Sequence, residues 1–137
     1  MKTFDVQTVE IAAPFSKVFR YIANPANLPR WTNAFKSAAD GQAIMETPAG
    51  SVRVGVQVAA SEAHGTIDWT ITFPDASTAA ASSRVVPLGE RSIYTFVLKA
   101  PPVPLEALEG ALSEQSRILT EELDTLTRVL GEGEHEG

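Results

Sequence analysis

The sequence contains no cysteine and only two histidines, His64 and His135, among its 137 residues. These absences exclude disulfide bonds, thiolate metal sites, a cysteine nucleophile and a metal site built from clustered histidines. Basic residues are also few, because 11 lysines and arginines stand against 17 aspartates and glutamates and give a net charge of -6. Such a surface does not suit the phosphate backbone of nucleic acids. We therefore expect no metal, no other cofactor and no nucleic-acid partner.

Long apolar segments are missing as well. No run approaches the roughly 20 residues of a membrane-spanning helix, and the N-terminal MKTFDVQTVEIAAP alternates polar and apolar residues without the hydrophobic core of a signal peptide. Hydrophobic residues make up 44% and charged residues 20%, as in ordinary globular domains. We expect one cytoplasmic domain over residues 1–131, without stable membrane insertion, and a polar, flexible tail over residues 132–137.

The longest helical pattern lies near the C-terminus, over roughly residues 104–130. Pro104 suits the first turn of this helix, and Gly131 is expected to end it. Its apolar residues recur at three- and four-residue steps and share one face roughly 160° wide. The residues of this face are Leu105, Leu108, Ala111, Leu112, Ile118, Leu119, Leu123, Leu126, Val129 and Leu130. A face of this size needs a broad cover, and we expect a sheet to provide it.

Most of the remaining sequence predicts antiparallel strands. Residues 2–11 form a first strand with a bulge near Gln7 and Thr8, and two short helices follow up to Phe35. From about residue 38 to residue 100, alternating apolar residues mark successive strands at hairpin spacing. One assignment of faces satisfies all the hairpins, with Met45 opposite Val52, Val58 opposite Ile67 and Ser83 opposite Tyr94.

The inward-facing residues of these strands follow from that assignment. They are Ala39, Gly41, Ala43, Met45, Val52, Val54, Val56, Val58, Ile67, Trp69, Ile71, Phe73, Ala79, Ala81, Ser83, Val85, Tyr94, Phe96 and Leu98. We predict an α+β domain in which a curved antiparallel sheet of about six or seven strands wraps around the long C-terminal helix.

Several segments, taken in their order, carry a resemblance that covers nearly the whole chain. They are IAAPFSKVFRYIANPANLPRW, ETPAGSVRV, IDWTITFPD and RVVPLGERSIYTFVLKAPP, followed by the Leu-rich last helix. This order resembles the START-like (SRPBCC, birch-pollen-allergen-like) superfamily, in particular its polyketide cyclase/dehydrase-like branch. The resemblance implies a helix-grip fold with a cavity between sheet and helix. Members of the superfamily bind lipids, sterols, hormones or polyketides, and a minority catalyse reactions on them.

The inward-facing set mixes small and aromatic residues in neighbouring strands. This distribution fits a closed core in which large and small side chains interdigitate, or a void lined by aromatic side chains. The resemblance favours the void. The candidate ligand-binding residues are Trp31, Phe35, Met45, Val54, Val56, Ile67, Trp69, Ile71, Phe73, Ala81, Ser83, Tyr94, Phe96, Leu108, Leu112, Gln115 and Leu119.

Polar groups that point into this interior are few. The charged Arg53, Asp68 and Arg84 fall on the outer face, so Tyr94 and Glu122 are the only weak candidates for catalysis. We therefore favour a protein, monomeric or homodimeric, that binds or carries a small hydrophobic or aromatic ligand of lipid or polyketide type. Two alternatives stay open. One is a polyketide cyclase or dehydratase, which needs a positioned general acid or base, and the other is a protein-interaction module with a collapsed cavity.

Overall fold

The computed structural model describes residues 4–32, 35–47, 50–76, 78–99 and 105–136, without the side chains of residues 47, 105–115 and 132–136. The strands are β1 (Phe4–Ile11), β2 (Phe35–Ala39), β3 (Gln42–Thr47), β4 (Gly50–Ser61), β5 (Thr66–Thr72), β6 (Thr78–Leu88) and β7 (Arg91–Lys99). The helices are α1 (Phe15–Ala23), α2 (Leu28–Trp31) and α3 (Leu105–Glu136), and a 3₁₀ turn (Pro25–Asn27) joins α1 to α2. Within the described ranges, seven strands form one antiparallel sheet in the order β1-β7-β6-β5-β4-β3-β2. The predicted α+β helix-grip architecture is therefore confirmed.

The registers of the hairpins preserve the predicted inner face. Met45 lies opposite Val52 as predicted. Val58 lies opposite Trp69 instead of Ile67, and Tyr94 lies opposite Val85 instead of Ser83. Both shifts are by two residues, and because side chains alternate with a period of two, the inward-facing set does not change.

Gly65 explains one of these shifts. It has a φ of +74° and lies in the β4–β5 turn, and a Cβ at this position would come within 2.2 Å of the Val85 carbonyl oxygen. The turn therefore includes Gly65 instead of ending at His64, which moves the register by two residues.

The hairpin formed by β2 and β3 differs from the prediction for residues 39 and 41. The backbone reverses at Asp40 and Gly41, which have φ values of 55° and 77°. Two successive positive φ values are typical of a two-residue β-hairpin turn. Ala38, and not Ala39, lies opposite Ala43. Ala39 and Gly41 are exposed, so the prediction that they face inward is wrong.

Strand β1 has no bulge, which is a second correction. Its pairing with β7 is continuous from Phe4 opposite Lys99 to Ile11 opposite Ser92. Phe4 and Val6 are exposed at 52% and 48%. The alternate residues of β1 face α3, and at the start of the strand these are polar.

Helix α3 continues through Gly131 to Glu136, so the prediction that Gly131 ends the helix is wrong. Gly131 keeps a helical backbone instead of the left-handed one that stops a helix. The flexible tail over residues 132–137 stays a prediction. Leu119, Leu123, Leu126 and Leu130 of α3 are buried as expected.

The core lies between the inner face of the sheet and the helices. Val18, Ile22 and Leu28 cover it from α1 and α2, and the buried leucines of α3 pack against the same core. The Ser92 hydroxyl is buried in this core and donates to the Ala13 carbonyl oxygen at 2.9 Å. No helix in the described part of the chain has the length and hydrophobicity needed to cross a bilayer.

Candidate ligand-binding site

Four aromatic side chains from α2, β5 and β7 are in contact on the inner side of the sheet. Trp31 and Trp69 have ring centroids 6.4 Å apart with planes at 52°. Trp69 stacks on Phe96 with ring centroids 5.9 Å apart, and Phe96 and Tyr94 make a T-shaped contact with centroids 6.4 Å apart. We call these four side chains the aromatic cluster.

The small residues of β6 make this cluster possible. Strand β6 separates β5 from β7, and on its inner face Ala81 lies opposite Trp69 while Ser83 lies opposite Phe96. Because these side chains are short, the rings from β5 and β7 can meet above β6. The space over Ala81 and Ser83 is therefore occupied at least in part by aromatic rings, as in an interdigitated core.

Three polar atoms of the aromatic cluster are buried without a hydrogen-bond partner in the described structure. They are Trp31 Nε1, Trp69 Nε1 and the Tyr94 hydroxyl. Leaving a buried polar group unpaired costs about 1–3 kcal/mol, and most such groups in native proteins are paired. An indole N–H can only donate, so the cluster presents donors for which the described residues supply no acceptor.

The ionisation of Tyr94 is set by its surroundings. Burial raises the pKa of the Tyr94 phenol far above its ordinary value, and the nearby Ser83 hydroxyl opposes this to a smaller extent. Ser83 itself donates to the Ile67 carbonyl oxygen at 2.7 Å. The phenol of Tyr94 therefore stays protonated near neutral pH, where it can donate a hydrogen bond but cannot act as a base.

A network of polar side chains, which the sequence analysis did not predict, joins β1 to α3. Gln7 Nε2 donates to Asp5 Oδ2 at 3.0 Å and to the Ser116 carbonyl oxygen at 2.9 Å. The Ser116 hydroxyl donates to Asp5 Oδ2 at 2.5 Å, and the Thr120 hydroxyl donates to Gln7 Oε1 at 3.0 Å. Gln7 lies opposite Phe96, so this β1–α3 polar network borders the aromatic cluster.

A simple signal would have revealed this network. Asp5 and Gln7 have the same parity as Ile11, which is fully buried. An unbroken strand therefore turns both polar side chains inward.

The described candidate residues lie in the predicted interior. The buried ones are Trp31, Val54, Val56, Ile67, Trp69, Ser83, Tyr94 and Leu119, and the half-buried ones are Phe35, Met45, Ile71, Phe73, Ala81 and Phe96. The side chains of Leu108, Leu112 and Gln115 lie outside the described residues. Ligand contact by any of these residues stays a prediction.

None of the other ionisable candidates is part of the aromatic cluster. Arg53, Asp68 and Arg84 are exposed on the outer face, as predicted, and Glu122 is half-buried on α3. His64 is exposed in the β4–β5 turn, where its Nδ1 is 2.9 Å from the Ser61 hydroxyl. Among the described residues, no three acidic or histidine side chains are placed to hold a metal ion.

A surface cleft of about 250 Å³ lies at one end of the sheet. It is lined by residues 24–26, by residues 39–42 and by Val56. Val56 alone among these residues belongs to the candidate set predicted from the sequence.

The sequence model of the family described as polyketide cyclase / dehydrase and lipid transport matches residues 5–131. The chain belongs to this family. The match extends from β1 through α3 and so includes every strand of the sheet. No curated protein is similar enough in sequence to count as a match.

Solved structures of related fold support the same architecture. A START superfamily protein from Mycobacterium smegmatis is 18% identical, with a TM-score of 0.65 over 94% of this chain and 99% of that one. The Zhui aromatase/cyclase from Streptomyces sp. R1128 is 14% identical, with a TM-score of 0.63 over 96% and 93% of the two chains. The di-domain ARO/CYC BexL is 17% identical, with a TM-score of 0.68 over 93% of this chain and 46% of that one. At these identities the similarity concerns the fold.

Proposed function

We propose that this protein binds a small hydrophobic, ring-containing ligand of lipid or polyketide type between the sheet and helices α2 and α3. The observation that carries the proposal is that Trp31 Nε1, Trp69 Nε1 and the Tyr94 hydroxyl are buried without a hydrogen-bond partner among the described residues. Carbonyl or ether oxygens of a ligand would accept these hydrogen bonds. Binding would then remove a cost that the free protein bears at each donor.

The rest of the described interior suits such a ligand. Small-molecule sites are mostly apolar and contain a few placed polar groups, and the cluster combines four rings with three donors. Burying apolar ligand surface contributes about 25 cal/mol per Å². The β1–α3 polar network adds a polar border beside Phe96, where the polar end of a ligand can lie.

A second candidate function is a cyclase or dehydratase reaction on a polyketide-like substrate. The observation that favours it is the buried Tyr94 hydroxyl, which stays protonated and can donate to a substrate carbonyl oxygen. The names of the solved relatives include aromatase/cyclases. The reaction also needs a general base, for which Glu122 is the candidate from the sequence.

The interaction-module alternative draws support from the stack of Trp69 on Phe96, which fills space above β6. Native mass spectrometry of protein purified from its own host separates this reading from ligand binding. We expect an added mass of a few hundred daltons that is lost on denaturation. A protein that carries no added mass, and that binds no hydrophobic dye after purification, has a collapsed interior.

Intrinsic fluorescence provides a matched assay, because both tryptophans of the chain belong to the aromatic cluster. Titration with Nile red, an uncharged dye with a carbonyl group, should quench tryptophan emission and increase dye emission. In Trp31→Phe and Trp69→Phe, the emission of the remaining tryptophan should still be quenched by the dye, and the variant should bind the dye with lower affinity than the parent. If dye binds without changing the emission of either tryptophan, it occupies another site.

A further inference from the structure

The surface cleft lies between the 3₁₀ turn and the turn that joins β2 to β3, and its lining is mainly apolar. Sites for drug-sized ligands usually measure about 300–1,000 Å³. At about 250 Å³ and partly open to solvent, the cleft is too small to enclose a whole ligand of that kind.

The floor of the cleft belongs to the inner face of the sheet. Val56 lines the cleft and yet is only 5% exposed, among the core residues. It lies opposite Ile71, while Val58, the next inward residue of β4, lies opposite Trp69. Diagonal neighbours of this kind have Cα atoms about 7–8 Å apart. Trp69 is thus a diagonal neighbour of the cleft floor on the inner face of the sheet.

The wall of the cleft that the 3₁₀ turn forms also lies next to the aromatic cluster in the chain. The 3₁₀ turn runs directly into α2, and the last residue of α2 is Trp31, which contacts Trp69. Asn24 fixes the start of this turn, because its Oδ1 accepts from the Ala26 backbone N–H at 3.1 Å. One wall is therefore followed in the chain by Trp31, and the floor is a diagonal neighbour of Trp69.

The opposite wall keeps the cleft open. The Val56 N–H donates to the Gly41 carbonyl oxygen at 2.9 Å, which ties the β2–β3 turn to β4. Gly41 has no side chain, and a Cβ built there would meet no atom within 4 Å. The turn is thus held in place without filling the space in front of it.

We propose that this cleft is the mouth through which an uncharged ligand reaches the aromatic cluster. The inference rests on the proposed function, since it assigns the route to the interior site. The mouth of a binding site affects the barrier to ligand entry and exit, and not the free energies of the free and ligand-bound protein. Narrowing it raises the barrier for entry and exit equally, so both rates fall while the equilibrium affinity stays the same.

Stopped-flow mixing of the full-length protein with Nile red measures both rates. The blocking variants are Ala26→Trp and Ala39→Trp, which place a large side chain on either wall of the cleft at exposed alanines. The matched control is Ala59→Trp, at an exposed alanine of β4 outside the cleft lining. Circular dichroism confirms that each variant is folded, and two blocking variants guard against the misfolding of one.

We expect the association and dissociation rate constants to fall by the same factor, about tenfold or more, in both blocking variants. The control should match the parent. Unchanged rates in the folded blocking variants would overturn the inference, because the dye then enters elsewhere. Weaker affinity with faster dissociation would also overturn it, since the cleft would then be part of the binding site itself. A parent protein that binds no dye overturns the proposed function, and the inference with it.

Discussion

Trp69 and Phe96 stack at 5.9 Å although their strands are not neighbours in the sheet. Strand β6 lies between them and contributes only Ala81 and Ser83 at this level. The small residues that the sequence placed beside the aromatic ones therefore serve to bring two rings together. The ligand space that we propose therefore lies beyond these rings, toward α2 and α3.

Ala81→Leu should disturb this stack. A leucine opposite Trp69 competes with the rings for the same volume, and overpacking of this kind costs about 1–3 kcal/mol. Urea unfolding monitored by tryptophan emission measures the loss, and dye affinity should fall with it. Ala80→Leu is the control, because Ala80 is exposed on the outer face of the same strand. If both variants are as stable as the parent and bind dye equally, the rings do not need the space over Ala81.

Tyr94→Phe should change stability and binding in opposite directions. In the free protein it removes a buried hydroxyl that has no partner in the described structure, so the unfolding free energy should stay the same or rise by up to about 1–3 kcal/mol. A carbonyl-bearing ligand that accepts from this hydroxyl should lose about 0.5–1.5 kcal/mol of binding free energy. Chemical denaturation and calorimetric titration measure the two effects. A clear loss of stability in the free variant would mean that the hydroxyl already has a partner.

The stability of the protein should fall at alkaline pH because of the same residue. Burial raises the pKa of Tyr94 above its ordinary value of 10.0. Its contribution is therefore fully present below about pH 10 and is lost above it, where the unfolded chain releases the proton and the folded one keeps it. The slope from one such group is about 1.4 kcal/mol per pH unit. Unfolding measured between pH 9 and pH 11 should show a shallower decline in Tyr94→Phe, whereas parallel curves would contradict the assignment.

The fold was predictable because its main signals are local. The alternation of Val54, Val56, Ile67 and Trp69 indicates which side of each strand is buried, and register errors of two residues leave that side unchanged. The turn at Asp40 and Gly41 could also be predicted from the sequence, because an Asp-Gly dipeptide favours a two-residue hairpin turn. The helix end was less predictable, because a glycine such as Gly131 stops a helix only if it adopts the left-handed conformation.

The candidate site was predictable only as a set of inward-facing residues. Trp31, Trp69 and Tyr94 have no acceptor among the residues that the structure describes. This depends on the relative positions of α2, β5 and β7, for which no segment carries a local signal. The inward orientation of Gln7 is similar, because its partner Ser116 is 109 residues away in the sequence. Burial of Phe4 and Val6 together with Val9 and Ile11 would need a bulge, because the two pairs have opposite parity. In the structure β1 is unbroken, and Phe4 and Val6 are exposed.

The β1–α3 polar network should couple its members energetically. Asp5→Ala and Ser116→Ala each remove one side of the hydrogen bond from the Ser116 hydroxyl to Asp5 Oδ2. Because the network is partly buried and includes a charged acceptor, a double-mutant cycle on unfolding free energies should give a coupling of about 1.5–3 kcal/mol.

The pair Glu10 and Arg91 offers the matched control for this cycle. It joins β1 to β7 at a similar separation of atoms, but both side chains are about half exposed, at 51% and 50%. Exposed ion pairs typically contribute about 0.2–1 kcal/mol, and salt screens them. We expect the coupling between Asp5 and Ser116 to exceed that between Glu10 and Arg91 and to persist in high salt. Equal couplings that both vanish in salt would show that the polar side chains of β1 do not fix α3 to the sheet.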